Sequence, residues 1–224
     1  MDPFEHAWAH LAVSRDGPVA LVRLNRPQAR NALNTALMVE LTEFARAIRR
    51  RTDLTCVILT GTDSYFSAGA DLAASGERRR ATLLETREAV MAGPDMCEAW
   101  EEIEAVTICA QEGYGIGGGC ALAVACDFRI LGEGAYLRLP EVPLGINMSW
   151  RSLPRITALV GPARAKRFVM FGEACDATTA LQWGFCDEIA PKGGAVAAAQ
   201  AWAAKLVALP PLPVRMTKEA INAA

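Results

Sequence analysis

The chain has 224 residues, enough for one well-buried domain or two small ones. A formal charge of −2 argues against a global electrostatic attraction to nucleic acid or to an anionic membrane. No apolar run reaches the roughly 18 residues that a membrane helix needs, and the opening MDPFEHAWAHLAVSRDG has an early acidic charge and no apolar signal core.

The seven cysteines, at 56, 97, 109, 120, 126, 175 and 186, are odd in number, form no C-x-x-C and lie mostly in apolar stretches. They predict reduced, buried thiols in a cytoplasmic protein.

In chain order, LAVSRDGPVALVRL at 11–24 alternates around Asp16-Gly17 and predicts a β-hairpin. The polar loop N-R-P-Q-A-R-N-A-L-N follows. Asn34 is the expected N-cap of a helix over 35–51, whose apolar face is Leu37, Met38, Leu41, Phe44, Ala45 and Ile48 and whose last turn holds Arg49, Arg50 and Arg51. The apolar run CVILTG at 56–61 suits a strand covered on both faces. SYFSAGADLAA passes through a small-residue turn toward a helix. Residues 76–95 are charged and aperiodic, and are expected to form a mobile helical excursion. A separate helix over 95–104 leads to the strand VTICAQ.

Gly113-Tyr-Gly115-Ile-Gly117-Gly118-Gly119 comes next, followed by the helix CALAVACD and short strands FRILG and AYLRL. Past Pro140 the pattern is mainly helical. Pro162 stands at a first helical position behind Gly161, Asp176 caps a short helix ending near Gly184, and FCDEIAP reads as a last strand. An Ala-rich helix over 195–209 and another from about Val214 close the chain, whose end falls inside a helix and suggests truncation or an omitted tail. No low-complexity linker divides the sequence, so one domain with a helical C-terminal part is the simplest organisation.

The glycine cluster supports three readings. It contains G-x-G-x-x-G at 113, 115 and 118 between a strand and a helix, as a dinucleotide site would. It lies in mid-chain, however, its helix is short, and no acidic residue ends a following strand where a ribose would need it. Close backbone packing at a tight turn is the second reading. The third is an oxyanion hole, in which glycines let main chain approach a ligand and a helix N-terminus offers unpaired N–H groups. That needs a second donor, and Ser67-Ala68-Gly69-Ala70-Asp71 is the candidate turn.

Four segments in order, N-R-P-Q-A-R-N-A-L-N, F-S-A-G-A-D-L, G-Y-G-I-G-G-G-C and L-P-E-V-P-L-G-I, together resemble the crotonase (enoyl-CoA hydratase/isomerase) superfamily over nearly the whole chain. The resemblance implies an α/β fold, a crotonase-like spiral of ββα repeats over residues 1–190 with C-terminal helices starting at 191–224. It implies a homotrimer or hexamer acting on an acyl-CoA, with no cofactor beyond the coenzyme A of the substrate. By the same match, the N–H groups of Ala70 and Gly118 would form the oxyanion hole. The loop around Ala68 and Gly69 would meet the adenine of coenzyme A, Asp71 would also be on the coenzyme A side, and the Arg30 segment would run beside its pantetheine and phosphates.

Hydratases of this family resemble one another in carrying two glutamates. Here the first position is Ala121, and only the second is kept, as Glu141. Adding water across a double bond suits two carboxylates, whereas moving a double bond from C3 to C2 needs one base that takes a proton from C2 and returns it to C4. The pattern therefore favours enoyl-CoA isomerisation over hydration, with a non-catalytic acyl-CoA binder as a further alternative. Where hydratases usually carry Pro-Gly-x-Gly-Gly, this chain has Ile146-Asn147-Met148-Ser149-Trp150-Arg151, and Met148 and Trp150 are expected to narrow or reshape the acyl pocket. No His/Cys/Asp cluster has metal-ligand spacing, and no G-x-S-x-G supports a serine hydrolase.

Overall fold

A computed structural model describes residues 2–71 and 82–223. The hairpin forms from β1 (Leu11–Asp16) and β2 (Val19–Leu24), antiparallel with Asp16 opposite Val19, so the turn itself is Gly17-Pro18. After β2 every long strand is reached by a crossover, and β3 (Cys56–Thr60), β4 (Val106–Gln111), β6 (Phe128–Gly132) and β9 (Glu188–Ala190) join in parallel. The result is one six-stranded sheet in the order β1-β2-β3-β4-β6-β9.

The apolar runs at 56–60 and 106–111 are continuous because both faces of this sheet are covered. Val57, Leu59 and Cys109 face the core shared with α1 (Thr35–Ile48), α2 (Leu83–Glu101) and α3 (Gly118–Ala125). Cys56, Ile58, Ile108 and Ile130 face Ala195, Ala199 and Ala203 of α7 (Ala195–Val207). All seven cysteines are free and buried, as expected.

A second, smaller set of pairings runs alongside. β5 (Tyr114–Ile116) pairs in parallel with β7 (Tyr136–Arg138), which pairs antiparallel with β8 (Cys175–Asp176). Single bridges extend this row, Ser67 to Gly115 and Ala70 to Leu33. Each repeat thus gives one strand to the large sheet, one extended segment to the small row, and then a helix: β3, 66–70 and α2; β4, β5 and α3. This is the ββα spiral that the sequence resemblance implied. α4 (Ser152–Val160), α5 (Pro162–Phe171), α6 (Ala177–Trp183) and α8 (Pro211–Asn222) complete the chain. Among the described residues no single helix is long and apolar enough to cross a membrane.

Caps follow the residues expected to make them: Asn34 accepts from the N–H of Leu37, and Asp176 from that of Thr179. Several boundaries differ from expectation. α1 ends at Ile48, and Arg49–Arg51 lie beyond its last turn. The strand β5, within the glycine cluster, was not anticipated.

The last helix starts at Pro211 rather than near Val214, because proline is well placed at a first helical turn. The excursion over 76–95 and the helix over 95–104 are, within the described residues, one helix, α2, starting at Leu83 behind a Thr82/Glu85 capping box. Its first half is exposed and carries no apolar period, while Met96, Cys97, Ala99 and Trp100 are buried. Residues 76–81, and most of the helix expected after Asp71, lie outside the described residues.

Candidate active site

The site is built where the small row of strands runs out. Ser67 lies opposite Gly115 in parallel register, and the chain beyond it runs past the end of β5 to the head of α3. Leu33 brackets Ala70 from the other side. The Leu33 N–H donates to the Gly69 carbonyl at 2.7 Å and the Asp71 N–H donates to the Leu33 carbonyl at 3.1 Å. In a parallel ladder the residue so bracketed turns its own N–H to the opposite edge, which here is the Gly118 side. A Cβ added to Gly69 would lie 2.5 Å from the Ile116 carbonyl oxygen and 3.5 Å from the Gly118 nitrogen. The two segments are therefore in direct contact. Gly118 opens α3, where N–H groups have no intrahelical acceptor. Among the described residues no partner takes the N–H of Ala70 or of Gly118.

The turn that presents Ala70 is held by side-chain bonds that the sequence alone did not show. Asn31, buried and left-handed at φ 52, donates from its side chain to the Phe66 carbonyl at 3.0 Å and accepts from the Arg26 N–H at 2.9 Å. Ser67 donates its hydroxyl to the Asn31 carbonyl at 2.7 Å and accepts from the Gly69 N–H. Arg26 pairs with Asp71 at 2.7 Å and also donates to the Ala32 carbonyl. Asn tolerates positive φ better than most residues, so the second asparagine of N-R-P-Q-A-R-N-A-L-N was the available signal. Arg30, exposed at φ 53, accepts the Ala68 N–H on its carbonyl at 3.1 Å, which places Ala68 and Gly69 beside the Arg30 segment.

Glu141 arrives from the next strand. β5 and β7 pair with Ile116 opposite Arg138, and the Gly117 N–H donates to the Arg138 carbonyl at 2.8 Å, so the chain after each strand runs side by side. Glu141 heads a short 3-10 turn, Val142–Leu144, and its carbonyl accepts from the N–H groups of Leu144 and Ile146, both at 3.0 Å. The carboxylate lies against the backbone of Gly117, where a Cβ would stand 2.7 Å from Oε1. Gly117 itself has φ +52, a second reason for glycine there.

Oε2 of Glu141 is buried without a hydrogen-bond partner among the described residues. Burial raises the Glu141 carboxyl above the ordinary glutamate range, opposed by a hydrogen bond to its own backbone. A carboxyl buried with one oxygen unpaired, beside a helix N-terminus with free N–H groups, is equipped to exchange a proton with a bound molecule.

Ala121 is buried in α3, one turn beyond Gly118. Met148 is buried, and Trp150, half-buried, lies against Gly118. The structure thus gathers Ala70, Gly118, Glu141 and Trp150 around the first turn of α3, with Ala68, Gly69 and Asp71 on the neighbouring turn. A cavity of about 910 Å³ lies elsewhere. It lies at the other end of α3, lined by Val124, Cys126, Arg129 and residues of α8.

Residues 14–224 match the family model described as Enoyl-CoA hydratase/isomerase. The chain belongs to that family. It is 35% identical to the 2,3-dehydroadipyl-CoA hydratase of Escherichia coli (strain K12) over 218 residues, 96% of this chain and 82% of that one. It is 32% identical to the short-chain-enoyl-CoA hydratase of Clostridium acetobutylicum over 214 residues, covering 95% and 81%. Among solved structures, the enoyl-CoA hydratase from Bacillus anthracis superposes with a TM-score of 0.88 at 33% identity, covering 95% of this chain and 82% of that one. Pseudomonas aeruginosa DspI superposes at 0.89 with 32% identity, covering 96% and 87%. The crotonase-family enoyl-CoA hydratase/isomerase fold, and an enzyme of that family handling acyl-CoA, are thereby shown.

Proposed function

We propose that the chain isomerises the double bond of an enoyl-CoA, with Glu141 as its single acid/base and the N–H groups of Ala70 and Gly118 as the oxyanion hole. The observation that carries this reading is the desolvated Glu141 carboxyl beside Gly117, with Ala at position 121. A thioester oxygen held by two N–H groups gains charge as C2 loses a proton, and fixed donors at a helix N-terminus stabilise that enolate without reorganising. A glutamate whose carboxyl is raised toward working pH can both take the proton from C2 and return it to C4. Arg30, Ala68, Gly69 and Asp71 then line the coenzyme A side. The reaction needs no cofactor beyond the coenzyme A of the substrate.

Hydration is the second reading, and the relatives named as hydratases favour it. A non-catalytic acyl-CoA binder is the third. A turnover screen on matched 3-enoyl-CoA and 2-enoyl-CoA thioesters separates the three. Isomerisation predicts loss of the 3-enoyl substrate without water uptake. Preferential 3-hydroxyacyl-CoA formation from the 2-enoyl panel would favour hydration, and binding without turnover of either panel would favour the binder.

Exposed Leu144, Ile146, Met170 and Phe171 support assembly into a trimer or hexamer, because water-facing apolar side chains in such number mark contact surfaces. Light scattering at micromolar concentration is expected to give a multiple of three, and a monomer throughout would refute it. Seven unpaired buried thiols support a reducing, cytoplasmic setting.

A further inference from the structure

The loop after Glu141 places an indole where two helices would otherwise leave a gap. A Cβ added to Gly93, inside α2, would lie 2.2 Å from Trp150 Cε2 and 2.5 Å from Cδ2. One added to Gly118, at the head of α3, would lie 2.2 Å from Cζ3 and 2.4 Å from Cη2 of the same ring. The indole is therefore wedged between the two backbones, its fused bond over Gly93 and its benzo edge over Gly118. Gly93-Pro94 is a costly pair for the interior of a helix. At Gly93 that cost has a compensation, since only a residue without a side chain admits the ring.

The ring is also firmly mounted. Met148, two residues before it, is buried. Arg151, the next residue, is left-handed at φ 57 and pairs with Glu98 of α2. Arg155 then donates to the Ala125 carbonyl at the end of α3 at 2.9 Å and pairs with Glu101 of α2 at 3.6 Å. Both helices that sandwich the indole thus hold the segment that carries it.

We propose that Trp150 is the wall that sets acyl length, so that the site takes short acyl thioesters and rejects long ones. This rests on the acyl-CoA reading given above. A thioester oxygen shared by the Ala70 and Gly118 N–H groups directs C2 and its neighbours toward Glu141. An indole lying on Gly118 then meets whatever extends past the reacting carbons between α2 and α3. Hydrophobic pockets discriminate by roughly ten- to two-hundred-fold per methylene that fits or fails to fit, so a rigid ring across the gap selects strongly.

The test is calorimetric binding of butyryl-CoA and decanoyl-CoA to the full chain, wild type and Trp150→Ala, with turnover of the matching 3-enoyl thioesters in parallel. Wild type is expected to bind butyryl-CoA at least about tenfold more tightly than decanoyl-CoA, and Trp150→Ala to reverse that preference. Trp150→Phe keeps a ring and is expected to fall between them, and it decides the matter if the alanine variant does not fold. A packing role alone would lower stability and leave the ratio of the two affinities unchanged. An unchanged ratio in the variants, or equal binding of both thioesters by wild type, overturns the wall. Failure of the wild type to bind any thioester overturns the acyl-CoA reading beneath it, which is a different result.

Discussion

At its first turn α3 has two glycines, the N–H groups of Gly118 and Ala70 that no partner takes among the described residues, a desolvated carboxyl and an indole, all packed closely. At its last turn it borders a cavity of about 910 Å³ whose walls are mostly apolar, edged by Arg129, Arg155 and Lys218. The small end holds groups whose charge state and hydrogen bonding are unsatisfied. The large end is roomy, yet its ionic groups are already engaged. Lys218 pairs with Asp127 at 2.6 Å, and Arg129 donates to the carbonyls of Phe185 and Cys126. Chemistry is marked by unfinished pairing beside a backbone that can approach a ligand, and volume is a weaker guide.

That contrast can be broken by exchanging activity effects against stability effects at the two ends. The largest expected effect is at the small end. Glu141→Gln keeps the shape and removes the base, and steady-state kinetics should show turnover down by roughly 10²–10⁴-fold with acyl-CoA affinity nearly intact. Retained turnover in that variant would remove Glu141 from the reaction. At the large end, Arg129→Met removes the guanidinium from the carbonyls of Phe185 and Cys126 and leaves Asp187 only the main-chain N–H of residue 129. Urea titration should show a loss of about 3 kcal/mol, while the thioester affinity of the folded fraction stays unchanged.

pH sharpens the same comparison. Burial raises the Glu141 carboxyl, so kcat/KM should fall as pH drops through a value above the ordinary glutamate range of about 4.3, and Glu141→Gln should lack that limb. The stability effect has the opposite sense. The folded state binds this proton more tightly than the unfolded chain, so the contribution is present at low pH and lost as pH rises through the raised value. Glu141→Gln should therefore gain stability relative to wild type on the alkaline side only, as thermal melts across the range would show. The smallest effect belongs to Thr217→Ala on the exposed wall of the large cavity, expected within about 0.5 kcal/mol in stability and unchanged in kcat/KM. A kinetic loss there would mean that the two ends are coupled.

Local rules carried far. The hairpin, the caps at Asn34 and Asp176, the doubly covered strands and the helix behind the glycines were all legible because each depends on residues near one another in sequence. The double role of 82–101 was not. Its exposed half lacks an apolar period, although the Thr82-x-x-Glu85 signature was present to be read. At the site, the glycine cluster, the second small turn and Glu141 were legible as motifs. The parts of Arg26, Asn31 and Ser67 were not, since what they do is hold one loop against another by side-chain bonds across dozens of residues.

By itself, then, the sequence determined which residue types the candidate site has: one glutamate where two could stand, glycines where main chain can approach a ligand, and a tryptophan in place of a glycine-rich loop. Only the tertiary structure decided where they meet. The parallel bridge that puts 67 opposite 115 and brings 69 against 116 and 118, the neighbouring strands that bring 141 to 117, and the wedge of Trp150 between Gly93 and Gly118 are contacts across dozens of residues. Such contacts follow from strand pairing and packing around the shared core, whose geometry no local pattern encodes.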